Sequence, residues 1–134
     1  MEDTPTQKPR VVIIGAGFGG LEAAKKLCGN AVQVTMIDRT NYHLFQPLLY
    51  QVAASVLAPP QISSPIREIL REQKNTSVIS GEVTSADKAR HRVFVDSADR
   101  ERVSLPYDYV ICATGVRHSY FGHNEFEKFA PGSC

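Results

Sequence analysis

Three short segments of the chain, at residues 10–14, 32–37 and 107–113, are mostly apolar and rich in β-branched residues. Runs of this length and composition are typical of strands buried on both faces of a parallel sheet. Residues 21–27 carry apolar positions at helical spacing, and Gly29 and Asn30 then end the predicted helix. The pattern therefore predicts a strand–helix–strand unit whose sheet is rejoined by the third apolar segment.

A second pattern, alternating apolar and polar positions, occupies residues 82–87, 91–96 and 102–105. Alternation with turn-rich breaks predicts strands that bury one face, here a three-stranded antiparallel meander. A short strand at 76–80 and a helix from Pro65 to about Gln73, capped by Ser63 or Ser64, are predicted before it. Residues 40–60 are irregular, with one helical turn expected near 53–57. The predicted fold class is α/β, with residues 10–115 as one domain after a flexible leader at 1–9.

Composition narrows the possible partners. The chain has 134 residues, 15 basic and 14 acidic, and a net charge of +1. It shows no basic stripe of the kind that nucleic acid requires, and no apolar run approaches the ~20 residues of a membrane span. The polar N-terminus lacks the features of a secretory signal, so we expect a cytoplasmic location. The three cysteines have no metal or disulfide spacing, and we expect two of them in the core.

A glycine-rich turn follows the first predicted strand. Gly15-Ala-Gly-Phe-Gly-Gly20 matches G-x-G-x-x-G between a strand and a helix. Gly15 permits the tight turn, Gly17 lets a pyrophosphate approach the backbone, and Gly20 lets the helix pack closely. The unpaired N–H groups and positive dipole end of the helix then bind the diphosphate, with no need for a lysine.

An acidic residue completes this pattern at the end of the second strand. Asp38 follows the motif by roughly 20 residues, the spacing at which a carboxylate binds an adenosine ribose. Its charge would repel a 2′-phosphate and so favours FAD or NAD over NADP. The alternative is that the glycines only form a turn and that Asp38 only caps a loop. The motif itself leaves the identity of the dinucleotide open.

The meander and the last strand carry a family resemblance. The meander, followed by Val110-Ile-Cys-Ala-Thr-Gly115, resembles the FAD domain of the two-dinucleotide-binding-domain flavoproteins. Within that superfamily the segments Ile37 to Ala53 and Ala113 to Gly122 look like type II NADH:quinone oxidoreductases. The resemblance covers residues 10 to 132. The disulfide-reductase branch would place a redox cysteine pair near residues 41–53, where this chain has none.

The resemblance implies a Rossmann-like FAD-binding domain of an enzyme that passes a hydride from NADH to FAD and electrons on to a quinone. The flavin carries the chemistry, so no catalytic side chain is expected. No metal ligand is expected either, because the four histidines do not cluster and are interpreted as surface or packing residues. The implied cofactor-binding residues are Gly15, Gly17, Phe18, Gly20, Asp38, Arg39, Gln46, Pro47, Val83, Ala113, Thr114 and Gly115. As alternatives, Val83 is a meander core residue, Gln46-Pro47 a loop turn and Thr114-Gly115 a strand end.

The chain also departs from that family. It has no second G-x-G-x-x-G, so we expect a truncated fragment that does not turn over alone, with residues 116–134 forming a connection toward a missing NADH-binding domain. Peripheral association with the cytoplasmic face of an inner membrane would require missing C-terminal segments. Homo-oligomerisation through an open sheet edge is a further hypothesis. The alternatives are a stand-alone adenine-dinucleotide-binding module and a fragment of an NAD-dependent dehydrogenase.

Overall fold

A computed structural model describes residues 7–97, 100–116 and 119–129. Most of the predicted leader and the last residues of the predicted connection lie outside this described part. The strands are β1 (Arg10–Ile14), β2 (Gln33–Asp38), β3 (Tyr42–Leu44), β4 (Ser63–Pro65), β5 (Thr76–Asp87), β6 (Arg92–Ser97), β7 (Arg100–Pro106) and β8 (Tyr109–Cys112). The α-helices are α1 (Phe18–Lys26), α2 (Leu49–Ala53) and α3 (Ile66–Ile69), and short 3₁₀ helices occupy Gln46–Leu48, Pro59–Gln61 and Asn124–Lys128.

A six-stranded sheet in the order β7-β6-β5-β2-β1-β8 organises the fold. β1 pairs in parallel with β2 and β8, and β2 pairs in parallel with β5. The strands β5, β6 and β7 pair antiparallel. The predicted α/β class, with a parallel sheet and a three-stranded meander, is confirmed. The parallel pairing brings the carboxyl ends of β1, β2 and β8 together at one edge, where the glycine-rich turn lies.

The predicted break between the third strand and the meander is wrong. Residues 76–87 form one strand, β5, whose first half pairs with β2 and whose second half pairs with β6. Ser80 is opposite Asp38 and Gly81 is opposite Ser97, so the strand passes directly from one partner to the other. Gly81 looks like a turn in the sequence because glycine weakens strands. Its pairing with Ser97 in β6, directly after the residues that pair with β2, overrides that local preference.

The segment before β5 also differs from the prediction. Ser63 and Ser64 do not cap a helix; they pair with Leu44 and His43 in a small two-stranded sheet. Helix α3 is a single turn, and Ile66 is buried in the core. The helical turn expected near residues 53–57 lies earlier, at Leu49–Ala53. Backbone pairing with β3 therefore decided the conformation of residues that local propensity assigned to a cap.

Apolar side chains pack on both faces of the parallel sheet. On one face α1 and α3 cover Val11, Ile13 and Met36, and on the other the meander covers Val12 and Ile37. The alternation along β1 confirms that this strand is buried on both sides. The prediction of two core cysteines is wrong. Cys28 follows α1 and Cys112 lies on the edge strand β8; both are exposed, and Cys134 lies outside the described residues.

Within the described residues, β8 forms one edge of the large sheet, with Tyr109 and Val110 exposed. Association through this edge stays a prediction, and a sedimentation mass independent of concentration would contradict it. No helix in the described ranges has the length and apolar character needed to cross a membrane.

A bidentate ion pair ties the start of β1 to the residue before β8. Arg10 Nε and Nη2 lie 3.1 and 3.0 Å from the two carboxylate oxygens of Asp108, and Arg10 N–H donates to the same carboxylate at 2.7 Å. The Arg10 side-chain hydrogen bonds, then its backbone N–H and its charge, lower the pKa of Asp108 from 3.8 to about 2. The depressed pKa means that this contribution to stability is present above pH 3.8 and is lost as the pH falls toward 2.

We therefore expect the unfolding free energy of Asp108→Asn to depend less on pH between pH 4 and pH 2 than that of the wild type. The wild-type chain should lose more unfolding free energy over this interval than the variant does. Urea unfolding at a series of pH values measures the difference, which should shrink in high salt because the pair is partly exposed. Equal losses of unfolding free energy in the two proteins between pH 4 and pH 2 would contradict the prediction.

Candidate functional site

The glycine-rich turn follows β1 and contacts the ends of the two neighbouring strands, β2 and β8. Gly15 has a φ of +98°, and a Cβ on it would lie 2.3 Å from the carbonyl oxygen of Ala113 after β8. Its N–H donates to the carbonyl of Ile37 in β2 at 2.8 Å. Glycine is required here both by the left-handed backbone and by the close approach of β8.

The other two motif glycines have different surroundings. A Cβ on Gly20 would lie 1.9 Å from the Gly15 carbonyl oxygen, so α1 sits directly against the turn. A Cβ on Gly17 would meet no atom within 4 Å, because this residue faces open space at the mouth of the helix. Gly20 thus serves packing, whereas Gly17 leaves room for a bound group to approach the backbone.

The amino end of α1 suits an anion. Gly17 is the N-cap, no side chain caps it, and the first turn of α1 has no acidic residue. Lys25 and Lys26 occupy the last turn, so the charges along the helix complement its dipole. The first N–H groups of the helix and its positive dipole end favour a negatively charged ligand.

Asp38 faces this turn. Its Oδ2 accepts the N–H of Ala16 at 2.7 Å, and its Oδ1 accepts the backbone N–H and the hydroxyl of Thr40 at 2.7 and 2.8 Å. A carboxylate offers about four lone-pair positions, and three are used. Asp38 can therefore accept a further hydrogen bond from a ligand hydroxyl while it holds the turn.

Two adjoining clefts meet at the turn. The first, of about 410 Å³, lies between the ends of β2 and β8 and the middle of β5, and it includes Arg39, Gly81 and Val83. The second, of about 510 Å³, runs past the amino end of α1 toward Phe18, His43 and Gln46. Both volumes fall in the usual range for small-molecule sites. The two clefts share Gly15, Asp38, Thr40, Thr114, Gly115 and Val116, so together they form one elongated groove.

Most of the predicted cofactor-binding residues line this groove. Arg39 and Val83 lie in the first cleft, and Gly17, Phe18, Gln46 and Ala113 in the second. Gly20 and Pro47 line neither cleft: Gly20 packs under α1, and Pro47 lies in a 3₁₀ helix. Arg39 Nη1 is 3.7 Å from Glu82 Oε1, and both side chains are more than half exposed. The described residues contain no cluster of His, Cys, Asp or Glu that could hold a metal ion.

Sequence reasoning missed two residues that hold this site. Thr40 fixes one oxygen of Asp38 and lines both clefts. His43 Nδ1 lies 3.0 Å from the Ala16 carbonyl oxygen, and its ring packs edge-to-face on Phe18 at 5.0 Å. The sequence offers only a weak signal for either, because hydroxyl and imidazole side chains without a repeating spacing are common in loops.

Comparisons with known proteins agree with this geometry. Residues 9–132 match the model of the pyridine nucleotide-disulphide oxidoreductase family. The chain is 48% identical over 128 residues to the type II NADH:quinone oxidoreductase Ndh of Mycobacterium tuberculosis, covering 96% of this chain and 27% of that protein. It is 51% identical over 123 residues to NdhA of the same organism, covering 92% and 26%. The predicted resemblance to type II enzymes is confirmed.

Solved structures show the same similarity. NDH2 from Plasmodium falciparum in complex with NADH superposes with a TM-score of 0.81 at 26% identity, over 90% of this chain and 25% of that one. The sulfide:quinone oxidoreductase of Aquifex aeolicus superposes with a TM-score of 0.73 at 26% identity, over 87% and 27%. The chain spans about a quarter of the length of these relatives. On the match over residues 9–132, the chain belongs to the pyridine nucleotide-disulphide oxidoreductase family.

Proposed function

We propose that this chain is the FAD-binding portion of an NADH:quinone oxidoreductase. The observation that carries the proposal is the arrangement of Asp38 and Gly17 at the mouth of α1. Asp38 is held facing the turn by a 2.7 Å hydrogen bond from Ala16 N–H, and Gly17 opens onto free space. A carboxylate for a ribose and backbone amides for a diphosphate lie side by side, as a dinucleotide requires.

The groove supports FAD in particular. Its first cleft, beside Asp38, Arg39 and Val83, suits an adenosine, and its second cleft offers a path past Gly17 and Phe18 toward Gln46. The Ala113 backbone, in contact with Gly15, would lie close to the cofactor. Hydride acceptance from NADH and electron transfer to a quinone are chemistry that the flavin supplies when it is bound. The residues of this chain bind and orient it.

The names of the relatives support NADH and quinone as substrates of the whole enzyme. In this proposal residues 10–115 form the FAD-binding unit and residues 116–134 lead toward an NADH-binding domain. The proposal also includes peripheral association of the whole enzyme with the cytoplasmic face of the inner membrane. Isolated from its NADH-binding part, the chain would bind the adenine half of FAD without turnover.

Titration of the purified 134-residue chain with FAD, ADP and NADH tests the proposal. Flavin fluorescence and calorimetry should show saturable binding of FAD and ADP. Binding of NADH with no affinity for FAD would instead favour a fragment of a nicotinamide-dependent dehydrogenase. Binding of ADP without binding of FAD would favour a stand-alone adenine-nucleotide module. Rapid NADH oxidation with a soluble quinone would contradict the expectation that this portion does not turn over.

Asp38→Asn should weaken FAD binding by about 10-fold or more, because hydrogen bonds to charged groups contribute roughly 1.5–3 kcal/mol. An amide has only one oxygen, whereas Ala16 N–H and Thr40 N–H both need an acceptor. The variant should therefore also unfold at lower urea concentration. The exposed Glu72, which lines neither cleft, provides a matched control: Glu72→Gln removes one charge and should leave FAD affinity unchanged. Equal FAD affinity of Asp38→Asn and the wild type would contradict the ribose role.

A further inference from the structure

The peptide groups on either side of Ala16 are held by two different side chains. Asp38 Oδ2 accepts the Ala16 N–H at 2.7 Å, and His43 Nδ1 contacts the Ala16 carbonyl oxygen at 3.0 Å. Ala16 itself is buried, with 3% of its surface exposed. Since a carbonyl oxygen can only accept, His43 Nδ1 must be the donor and must carry a hydrogen. The glycine-rich turn is thus held by Asp38 at the end of β2 and by His43 in β3.

The contact with the carbonyl has a geometric consequence for the next residue. In a planar trans peptide the C=O and the following N–H point in opposite directions. By holding the Ala16 carbonyl, His43 fixes the direction of the Gly17 N–H. Gly17 is the N-cap of α1, where its missing side chain leaves the backbone open. This N–H is therefore one of the groups that a diphosphate at the mouth of α1 would meet.

The ring of His43 is itself held in place. Its centroid lies 5.0 Å from that of Phe18 with the planes at 89°. The Phe18 ring packs in turn against Phe45, with centroids 5.6 Å apart. Strand β3, which carries His43, pairs with β4. The pairing of β3 with β4 and the contact with Phe18, which itself packs against Phe45, therefore hold the imidazole beside the turn.

We propose that His43 is a positioning residue of the diphosphate site: its Nδ1–H holds the Ala16 carbonyl and thereby aims the Gly17 N–H at a bound diphosphate. This inference rests on the proposed dinucleotide function. It concerns the phosphate-binding part of the groove and not the adenosine part, which lies on the other side of Asp38. Loss of His43 should therefore weaken ligands that carry phosphate and spare those that do not.

Two variants separate the contribution of the His43 hydrogen bond from that of its ring packing. In His43→Asn the amide Nδ2–H replaces the Nδ1–H on the same carbon, whereas in His43→Phe an aromatic ring remains without a donor. The probes are ADP and adenosine, measured by calorimetry on the 134-residue chain. We expect His43→Phe to weaken ADP binding by about 3- to 10-fold, the range of one ordinary hydrogen bond. Adenosine affinity should stay at the wild-type value, and His43→Asn should restore ADP binding.

The outcomes distinguish this inference from the proposed function. If the wild-type chain binds neither ADP nor FAD, the proposed function fails. If it binds both but His43→Phe affects ADP and adenosine equally, or not at all, the role of His43 fails while the function stands. Nitrogen NMR of the wild-type imidazole decides the hydrogen bond without any variant: Nδ1 of His43 should be protonated. A neutral His43 ring protonated only at Nε2 would overturn the inference even where no ligand binds and no variant folds.

Discussion

Gly20→Ala is expected to destabilise the folded chain by about 3 kcal/mol, near the upper end of the usual cost of overpacking. The added Cβ would lie 1.9 Å from the carbonyl oxygen of Gly15 and 3.0 Å from its carbonyl carbon. Both atoms belong to the backbone, so no side-chain rotation can relieve the contact. Either α1 must move off the sheet or the turn must change shape. Urea unfolding monitored by circular dichroism measures the loss.

Gly19→Ala is the matched control for this prediction. Gly19 is the adjacent residue in the same helical turn, and a Cβ there would meet no atom within 4 Å. Alanine is a better helix former than glycine by up to about 1 kcal/mol, so this variant should be as stable as the wild type or slightly more so. An unfolding midpoint for Gly20→Ala equal to that of Gly19→Ala would refute the packing role of Gly20.

Gly17→Ala is expected to have the opposite effects: the folded chain keeps its stability, and FAD binding is weakened. The backbone of Gly17, with φ −71° and ψ −166°, is accessible to any residue. Its Cβ would enter open space, so no strain accompanies the substitution. The methyl group would instead occupy the space that a diphosphate needs next to the backbone. We expect FAD affinity to fall by at least about 10-fold, equivalent to ~1.4 kcal/mol.

Paired measurements on each variant make this prediction decisive. The unfolding midpoint without ligand reports the packing of the turn, and fluorescence titration with FAD reports the site. Gly17→Ala should change only the second quantity. An unchanged FAD affinity in the folded variant would show that the diphosphate does not approach Gly17, which would remove the central support for the proposed function.

Local sequence patterns predicted the elements whose conformation is decided locally. The apolar runs at β1 and β2, the glycine-rich turn and the position of Asp38 were all available from spacing alone. These patterns fail to predict the conformation where pairing between distant segments decides it. Gly81 stays in a strand because it pairs with β6 directly after the residues that pair with β2, and Ser63 pairs with β3 in place of capping a helix.

The supporting residues of the site illustrate the same limit. His43 contacts the carbonyl of Ala16, far away along the chain, from β3, a strand that pairs with β4. A lone histidine among aromatic residues gives no hint of that geometry. Thr40 is close to Asp38 in sequence, yet its role depends on the carboxylate turning toward both Thr40 and Ala16. The motif therefore predicted the residues that face the groove and not those that hold them in place.

The contact of Gly15 with Ala113 has a consequence for the order of folding. The turn is complete only when β8, near the far end of the described chain, has paired with β1 near its start. Such contacts between distant residues form slowly, since a long loop must close before they contribute any stability. We therefore expect the groove to be among the last features to assemble. A nucleotide that binds the assembled groove would delay its opening and keep β1 and β8 together.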